Sequence, residues 1–426
     1  MHKLRVGVVV NPDLVPSLGG AYSYYSTLLK GLNNYDFDDS IDIINIIFYN
    51  KVKPNITLNK TSLFIEGLAP SEVKKSVKKR LIKFGLLKRI FFPEKIFSSI
   101  KKNSLAGVVK VLEQEKIDLL YYLTPVAHNI DFPYIITHWD LAHKTTFSFP
   151  EITMNGNYES RDNYYSGVLN KALMILCESE TSIKELSTLY NIDQKKLALF
   201  PIFGNDALSL IDNQKNIQTH LSKFNLEDSR FFLYPAQFWS LKNHYNLIIA
   251  FNIFLKDQRK DNTFKLILCG SDKGNMKYIL SLIDDLGLKD SIIITGFIEN
   301  EELHSLYKHA CAMVFPAFLG PTNMPLIEAA QLGCPIICSN LDGHKEILDV
   351  HALYFEPTDP NDIATNMAKI ANNSVFRQSL IKNAQNHIKE SKFNLKKSLF
   401  LLNNTLIKVK AIRKTWGLNS MINADV

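Results

Sequence analysis

The sequence has no run of eighteen apolar residues, so no segment is expected to cross a bilayer as a helix. Its opening stretch, MHKLRVGVVVNPD, lacks the small-residue cleavage site of a secretory signal and reads instead as a first strand packed inside a sheet. Export is not expected, which leaves the sequons at Asn55, Asn59, Asn372 and Asn403 without a glycan message. Cysteine is scarce. Cys177, Cys269, Cys311, Cys334 and Cys338 all lie in apolar runs, none in a C-x-x-C pair, a pattern that fits reduced, buried thiols in a cytosolic protein. No Cys/His cluster has zinc-ligand spacing. Neither G-x-G-x-x-G nor a P-loop is present, and there is no short-period repeat or low-complexity tract. The one D-x-D, Asp36-Phe37-Asp38, precedes the second expected strand, the wrong end of a sheet for a metal-bound diphosphate. It reads as a solvated loop, and no metal is expected.

What is present is a long chain of globular composition. At 426 residues, with 46% apolar and 21% charged residues, it suggests two or three soluble domains. The net charge of +7 is concentrated in residues 71–102, which hold eleven Lys/Arg against two Glu. Val73, Val77, Leu81, Phe84, Leu87 and Phe91 fall near helical spacing there. A basic amphipathic helix on an anionic membrane surface and a solvated basic face packed on a core both fit. No nucleic-acid motif accompanies the charge, so nucleic acid is not an expected partner.

Strand-like runs alternate with helical patterns along most of the chain, from LRVGVVV and IDIINIIFY to AMVFPAF and PIICSN. Near-continuous apolar strands with intervening helices indicate parallel sheets covered on both faces, an α/β fold of doubly wound type. The pattern restarts at FFLYPA after a polar stretch without strand character. The expected division is an N-terminal Rossmann-like domain over 1–204, a linker over 205–228 and a second Rossmann-like domain over 229–390. Residues 391–426 would form a C-terminal helix crossing back to the first domain and a polar tail, less ordered past Lys410. Ligands of such sheets bind beyond the carboxyl ends of the strands, so residues there are the ones to weigh.

Four segments qualify. Gly19-Gly20 follows the first strand and opens a helix, where backbone and N–H groups can approach an anion, although a glycine pair is more often only a turn. His138-Trp139-Asp140, with His143 a turn later, ends a strand with groups able to grip a hydroxyl-rich ligand or simply to form a hydrogen-bonded cluster. Lys242 stands at a helix start after the first strand of the second domain, able to place its charge beside a phosphate. Last is FPAFLGPTNMPLIEAAQLGCPIICSN, Phe315 to Asn340. Asn323 is a natural N-cap, Pro325 is tolerated in the first turn and Gly333 is a natural C-cap, which makes a short helix aimed out of the sheet edge. Gly320 permits a left-handed or crowded turn, and Glu328 is an acceptor for a pair of vicinal hydroxyls. Pyrophosphate plus ribose fits both features.

Taken together these residues resemble the group 1 (family 4) glycosyltransferases. PLIEAAQLGCPIICSN is similar to the family's L-P-x-x-E-A-x-A-x-G-x-P-V-I-x-S, and LDGHKEI, EPTDPNDIA and GFIENEELHSLYKHACAMVFPA resemble the runs around it. The resemblance implies a GT-B fold, two such domains facing across a cleft. It implies a retaining, metal-independent enzyme that moves a hexose from a nucleotide-diphosphate sugar, GDP-mannose-like or UDP-linked. The acceptor would be a glycan or lipid-linked precursor of surface polysaccharide or lipopolysaccharide, met in the cytoplasm or peripherally on the inner membrane face. Donor roles follow residue by residue. Gly19 and Gly20 would approach the phosphates, Lys242 would neutralise the leaving pyrophosphate, and the backbone near Phe297 and Ile298 would meet the base. Gly320, Pro321, Thr322, Asn323 and Met324 would contact sugar and phosphate through main-chain N–H groups, Glu328 would bind the ribose, and Asp140 with His138 would face the transferred sugar. The sequence departs from the family at three places. Gly320 replaces the first of its paired glutamates, Gln237 replaces the arginine beside the lysine, and Trp139 stands where its histidine is common, which puts His138 one residue out of register. A subset with Gly-Pro-Thr-Asn-x-Pro shares this pattern, so the reading is a variant active site. Which group then contacts the sugar 3- and 4-hydroxyls is left open. A sugar-nucleotide epimerase or hydrolase of the same fold, and a donor-binding subunit without activity, are the alternatives.

Overall fold

The computed structural model describes residues 3–49, 57–66, 106–205, 208, 217–228, 230–257 and 263–416. Among them two parallel sheets are built. The first holds β1 (Leu4–Val10), β2 (Ile41–Tyr49), β3 (Ser62–Glu66), β4 (Leu119–Tyr122), β5 (Tyr134–His138), β6 (Met174–Cys177) and β7 (Leu197–Leu199), in the order β3-β2-β1-β4-β5-β6-β7. The second holds β8 (Phe231–Pro235), β9 (Lys265–Cys269), β10 (Ile292–Gly296), β11 (Ala312–Phe315), β12 (Ile336–Ser339) and β13 (Leu353–Phe355), in the order β10-β9-β8-β11-β12-β13. The doubly wound α/β class expected from the alternating pattern is present. The central strands β4, β6, β11 and β12 are buried throughout, as helices on both faces require.

Strand order reverses between β1 and β4 in one sheet and between β8 and β11 in the other. The loops leaving β1, β8 and β11 therefore open crevices beyond the strand ends. These loops carry Gly19, Lys242 and the Gly320–Met324 turn. An apolar cluster runs from the first sheet through Phe200, Phe203 and Leu208 into the core around the second. Phe203 is fully buried and stacks on Tyr24 at 4.9 Å. A polar contact adds to this: Glu346, beyond the second sheet, accepts hydrogen bonds from Glu180 N (2.8 Å), Thr181 N (3.0 Å) and Thr181 Oγ1 (2.9 Å) of the first. It thereby caps the helix Glu180–Leu189 from across the cleft.

Several local expectations change. β3 and β13 lack the long apolar run of the other strands: β13 is three residues long, and β3 is a partly exposed edge. The polar stretch before β8 contains the helix Ile217–Lys223. The helix Leu395–Arg413 continues past Lys410, because its far end is anchored: Arg413 Nε donates to Asp118 O at 2.9 Å and is buried. Nearer its start Ser398 Oγ donates to Pro201 O at 2.7 Å, so this helix lies against the first sheet's unit. The basic segment 71–102 lies outside the described residues. None of the described helices is long and apolar enough to cross a membrane.

Candidate functional site

The turn after β11 leads into the helix Met324–Leu332, with Pro325 in the first turn and Gly333 ending it in the left-handed region at φ 73°. Asn323 occupies the N-cap position but makes no capping bond. Its side chain is used elsewhere: Nδ2 donates to Leu319 O (3.1 Å) and to His344 Nε2 (2.9 Å), and Oδ1 accepts from Lys242 Nζ (3.2 Å). His344 completes the relay, since its Nδ1 donates to Ser339 O at 2.9 Å. Burial pushes His344 down to about 4, so near neutral pH the ring is uncharged, one nitrogen donating and the other accepting. This chain of bonds fixes where the Lys242 ammonium sits. Lys242 itself lies in a short 3-10 turn, Ser240–Lys242, ahead of the helix His244–Asp257 and not inside its first turn.

Gly320 is a crowded position, not a left-handed one. A Cβ there would come within 2.4 Å of Asn323 Nδ2 and 2.6 Å of His344 Nε2. The space a glutamate side chain would need is thus filled by the Asn323–His344 pair. His344→Ala is expected to release Asn323 and with it Lys242. Donor kcat/KM should fall about tenfold to a hundredfold, a loss of about 1.4–2.8 kcal/mol of transition-state stabilisation. Steady-state kinetics beside a circular dichroism spectrum that stays folded would check this.

Two adjoining cavities open between the sheets. The first, about 390 Å³, is bounded by Tyr24, Trp139, Asp140 and Glu178 from one side and by Lys242 and Pro321 to Pro325 from the other. Burial pushes Lys242 down to about 8, the charge of Asp140 opposing the shift, and its ammonium rests 5.3 Å from the centre of the Phe315 ring. Asp140 is paired with Arg161 and accepts from Ala142 N at 2.9 Å, which holds the carboxylate at the cavity wall. His138 does not reach the cavity. Its ring is wholly buried, packs 5.4 Å from Tyr165 and is pushed by burial to about 4. His138 is the last residue of β5 and its ring is packed inside the first unit, whereas Trp139 and Asp140 follow the strand end and line the cavity. His138 therefore leaves the set of ligand-facing residues.

The second cavity, about 440 Å³, is lined by Gly19, Gly20, Gln237, Phe297, Ile298 and Glu328 among others, and shares Gly20, Gln237 and Met324 with the first. Glu328 is buried, accepts from Tyr307 Oη at 3.0 Å and is pushed up to about 7 by that burial. Phe297 is 47% exposed, a flat apolar face at the cavity rim. Gly19 adopts φ 64° at the start of the helix Gly20–Asn34, a conformation suited to glycine. Gln237 Nε2 donates to Leu18 O at 3.4 Å, so the two units meet beside it.

The structure thus brings Gly19, Gly20, Asp140, Gln237, Lys242, Phe297, Ile298, Pro321, Thr322, Asn323, Met324 and Glu328 around one continuous opening, with Gly320 just behind it. Tyr24, Glu178 and His344 join this group without having been singled out in the sequence. Glu178 alone left a signal, a carboxylate directly after the buried strand β6. Among the described residues there is no group of three or more His, Cys, Asp or Glu placed to hold a metal ion.

Residues 216–387 match the family model described as glycosyl transferases group 1. An uncharacterized glycosyltransferase of Methanocaldococcus jannaschii, MJ1607, is 30% identical over 129 residues, covering 30% of this chain and 33% of the relative. The O-antigen chain mannosyltransferase RfbU of Salmonella typhimurium is 28% identical over 187 residues, covering 43% of this chain and 47% of the relative. The chain thus spans about a third to a half of the length of these relatives. Among solved structures, the sucrose-phosphate synthase of Thermosynechococcus elongatus superposes with a TM-score of 0.68 at 17% identity, over 96% of this chain and 100% of that one. The fold is therefore GT-B, and residues 216–387 are similar to the group 1 glycosyl transferases.

Proposed function

We propose that the protein is a retaining, metal-independent hexosyltransferase. It would move a mannose-like sugar from a nucleotide-diphosphate donor to a hydroxyl of a glycan or lipid-linked acceptor in surface polysaccharide or lipopolysaccharide synthesis. The observation that carries this reading is the meeting of the part-buried Lys242 ammonium and the uncapped start of the helix Met324–Leu332 at one cavity, with Glu328 and Phe297 in the adjoining one. A nucleoside diphosphate has the matching order of parts: a flat base, a vicinal diol and a doubly charged linker. The base lies against Phe297 and Ile298, the ribose diol donates to Glu328, and the diphosphate meets Lys242 and the amides of Thr322 to Met324.

In the reaction the bond between the anomeric carbon and the phosphate oxygen breaks as the acceptor oxygen bonds to that carbon from the same face. The acceptor's proton passes to the departing phosphate. Negative charge grows on that phosphate, and Lys242 with the helix N-terminus stabilises it in place of a divalent cation. Asp36 and Asp38 precede β2, at the opposite edge of the first sheet. An apolar cavity of about 350 Å³, lined by Phe48, Tyr122 and Trp139, adjoins the sugar end and suits the acceptor. The mannosyl activity named for the RfbU relative favours mannose as the sugar.

A thermal-shift screen against GDP-, UDP-, TDP- and CDP-linked sugars tests the reading. A ligand at a hundred times its Kd adds about 2.7 kcal/mol to stability, so one nucleotide class should raise Tm by several degrees, GDP-mannose most. No shift with any of them would refute the donor site.

A further inference from the structure

Buried polar groups in folded proteins nearly always find hydrogen-bond partners, and each exception calls for an explanation. Three such exceptions converge on the first cavity. Glu178 Oε1, Tyr24 Oη and Trp139 Nε1 are all buried atoms without a well-formed hydrogen bond among the described residues, although the Tyr24 hydroxyl lies near enough to Glu178 and Trp139 to interact weakly with both, and all three residues line that cavity. A buried polar group left wholly unsatisfied costs about 1–3 kcal/mol, and three under-satisfied groups in one wall are a cost that a hydroxyl-bearing ligand would relieve. Glu178 is the most telling. It stands one residue beyond β6, is 2% exposed, and has one carboxyl oxygen fixed by Thr322 Oγ1 at 2.7 Å. Thr322 belongs to the turn after β11, so this bond crosses the cleft and leaves the second carboxyl oxygen of a cavity-lining residue without a well-formed bond.

The occupant of this end of the opening must be rich in hydroxyls. A water-filled apolar pocket would not hold a carboxyl, a phenol and an indole N–H in one wall, and Lys242 already marks where the diphosphate ends. Resting on the glycosyl-transfer reading above, we propose that Glu178 binds a hydroxyl of the transferred sugar. It reaches from the first unit to make the contact that Gly320, walled in by Asn323 and His344, has no room to supply. Burial pushes the Glu178 carboxyl up to about 8, against the opposing bond from Thr322. Near neutral pH it therefore carries a proton and can donate to a sugar oxygen as well as accept from a hydroxyl. Trp139 offers a donor and an apolar face to the same ring, and Tyr24 a hydroxyl.

Isothermal titration of the full chain with GDP and with GDP-mannose, and in parallel with UDP and UDP-glucose, separates the sugar contact from the nucleotide contacts. Glu178→Leu removes both carboxyl oxygens at similar volume. It is expected to weaken binding of the sugar nucleotide at least tenfold while changing Kd for the bare nucleoside diphosphate less than twofold. Glu178→Gln keeps the acceptor for Thr322 and a group facing the sugar, and should stay within about threefold of wild type. Should the leucine variant fail to fold, Glu178→Ala carries the same expectation. Equal losses for nucleotide and sugar nucleotide would overturn the proposal and leave Glu178 a support for the Thr322 turn, as would no loss for either. Wild-type protein that binds neither nucleotide pair would instead overturn the donor-site reading itself, and this assignment with it.

Discussion

Replacing Lys242 by alanine is expected to lower donor kcat/KM about a thousandfold, close to 4 kcal/mol of transition-state stabilisation, in a protein that remains folded. The magnitude follows from the setting. The ammonium is part-buried, held by Asn323 and set in the wall of the cavity between the sheets, where water is partly excluded and a fixed charge facing a growing negative charge is worth more than in bulk water. The same burial makes the effect pH-dependent. With its pKa pushed down to about 8, Lys242 loses its charge as pH rises through that value, so wild-type kcat/KM should fall above about pH 8. The alanine variant should lack that alkaline limb. Stability moves the other way. An unfolded lysine titrates near about 10.4, so between about 8 and 10.4 the unfolded chain binds the extra proton and folding becomes more favourable as pH rises. At neutral pH the folded protein bears the cost of a buried charge, and the alanine variant should melt no lower than wild type. A large drop in Tm would mean that the kinetic loss reports unfolding.

Glu328→Ala should raise the donor KM about a hundredfold. The carboxylate is the acceptor offered to a pair of hydroxyls in the second cavity, and hydrogen bonds to charged groups contribute about 1.5–3 kcal/mol each. Alanine also leaves the buried Tyr307 hydroxyl without its acceptor. Glu328→Gln keeps an acceptor for Tyr307 and should lose less. The acid limb of the pH profile belongs here: with its pKa raised to about 7, Glu328 is protonated as pH falls through that value, and donor KM should rise. The folded-state pKa is raised above the unfolded one, so this group's contribution to stability is full below about pH 4.3 and is lost as pH rises through about 7. The glutamine variant should therefore be at least as stable as wild type at pH 8. Initial-rate kinetics and melting curves from pH 6 to 9 on both variants check these expectations together.

The sequence carried the architecture because its strands announce themselves: LRVGVVV and IDIINIIFY are nearly continuous apolar runs, which only a sheet covered on both faces can bury. The short β13 and the half-exposed β3 carry too little of that signal. Lys242, Glu328 and the turn at Pro321 to Met324 were legible because helix-start and cap chemistry is local. What was not legible depends on distant segments meeting. The reason for a glycine at 320 is the imidazole of His344, brought beside it by a separate helix, Asp342–Leu348. Glu178 matters because Thr322, 144 residues away, reaches it across the cleft. His138 was misjudged by a single residue. The sequence does not reveal where β5 ends and the loop to the cleft begins: His138 is still in the strand, and Trp139 and Asp140 are the residues beyond it that line the cavity.

A diphosphate held between the two sheets is the central feature of the site, and a crystal structure of the protein with a bound nucleoside diphosphate measures it most directly. The predicted result is a terminal phosphate about 3 Å from Lys242 Nζ and from the amides of Thr322 to Met324, with the ribose on Glu328 and the base against Phe297. A nucleotide seated elsewhere, with the opening between the sheets empty, would contradict it.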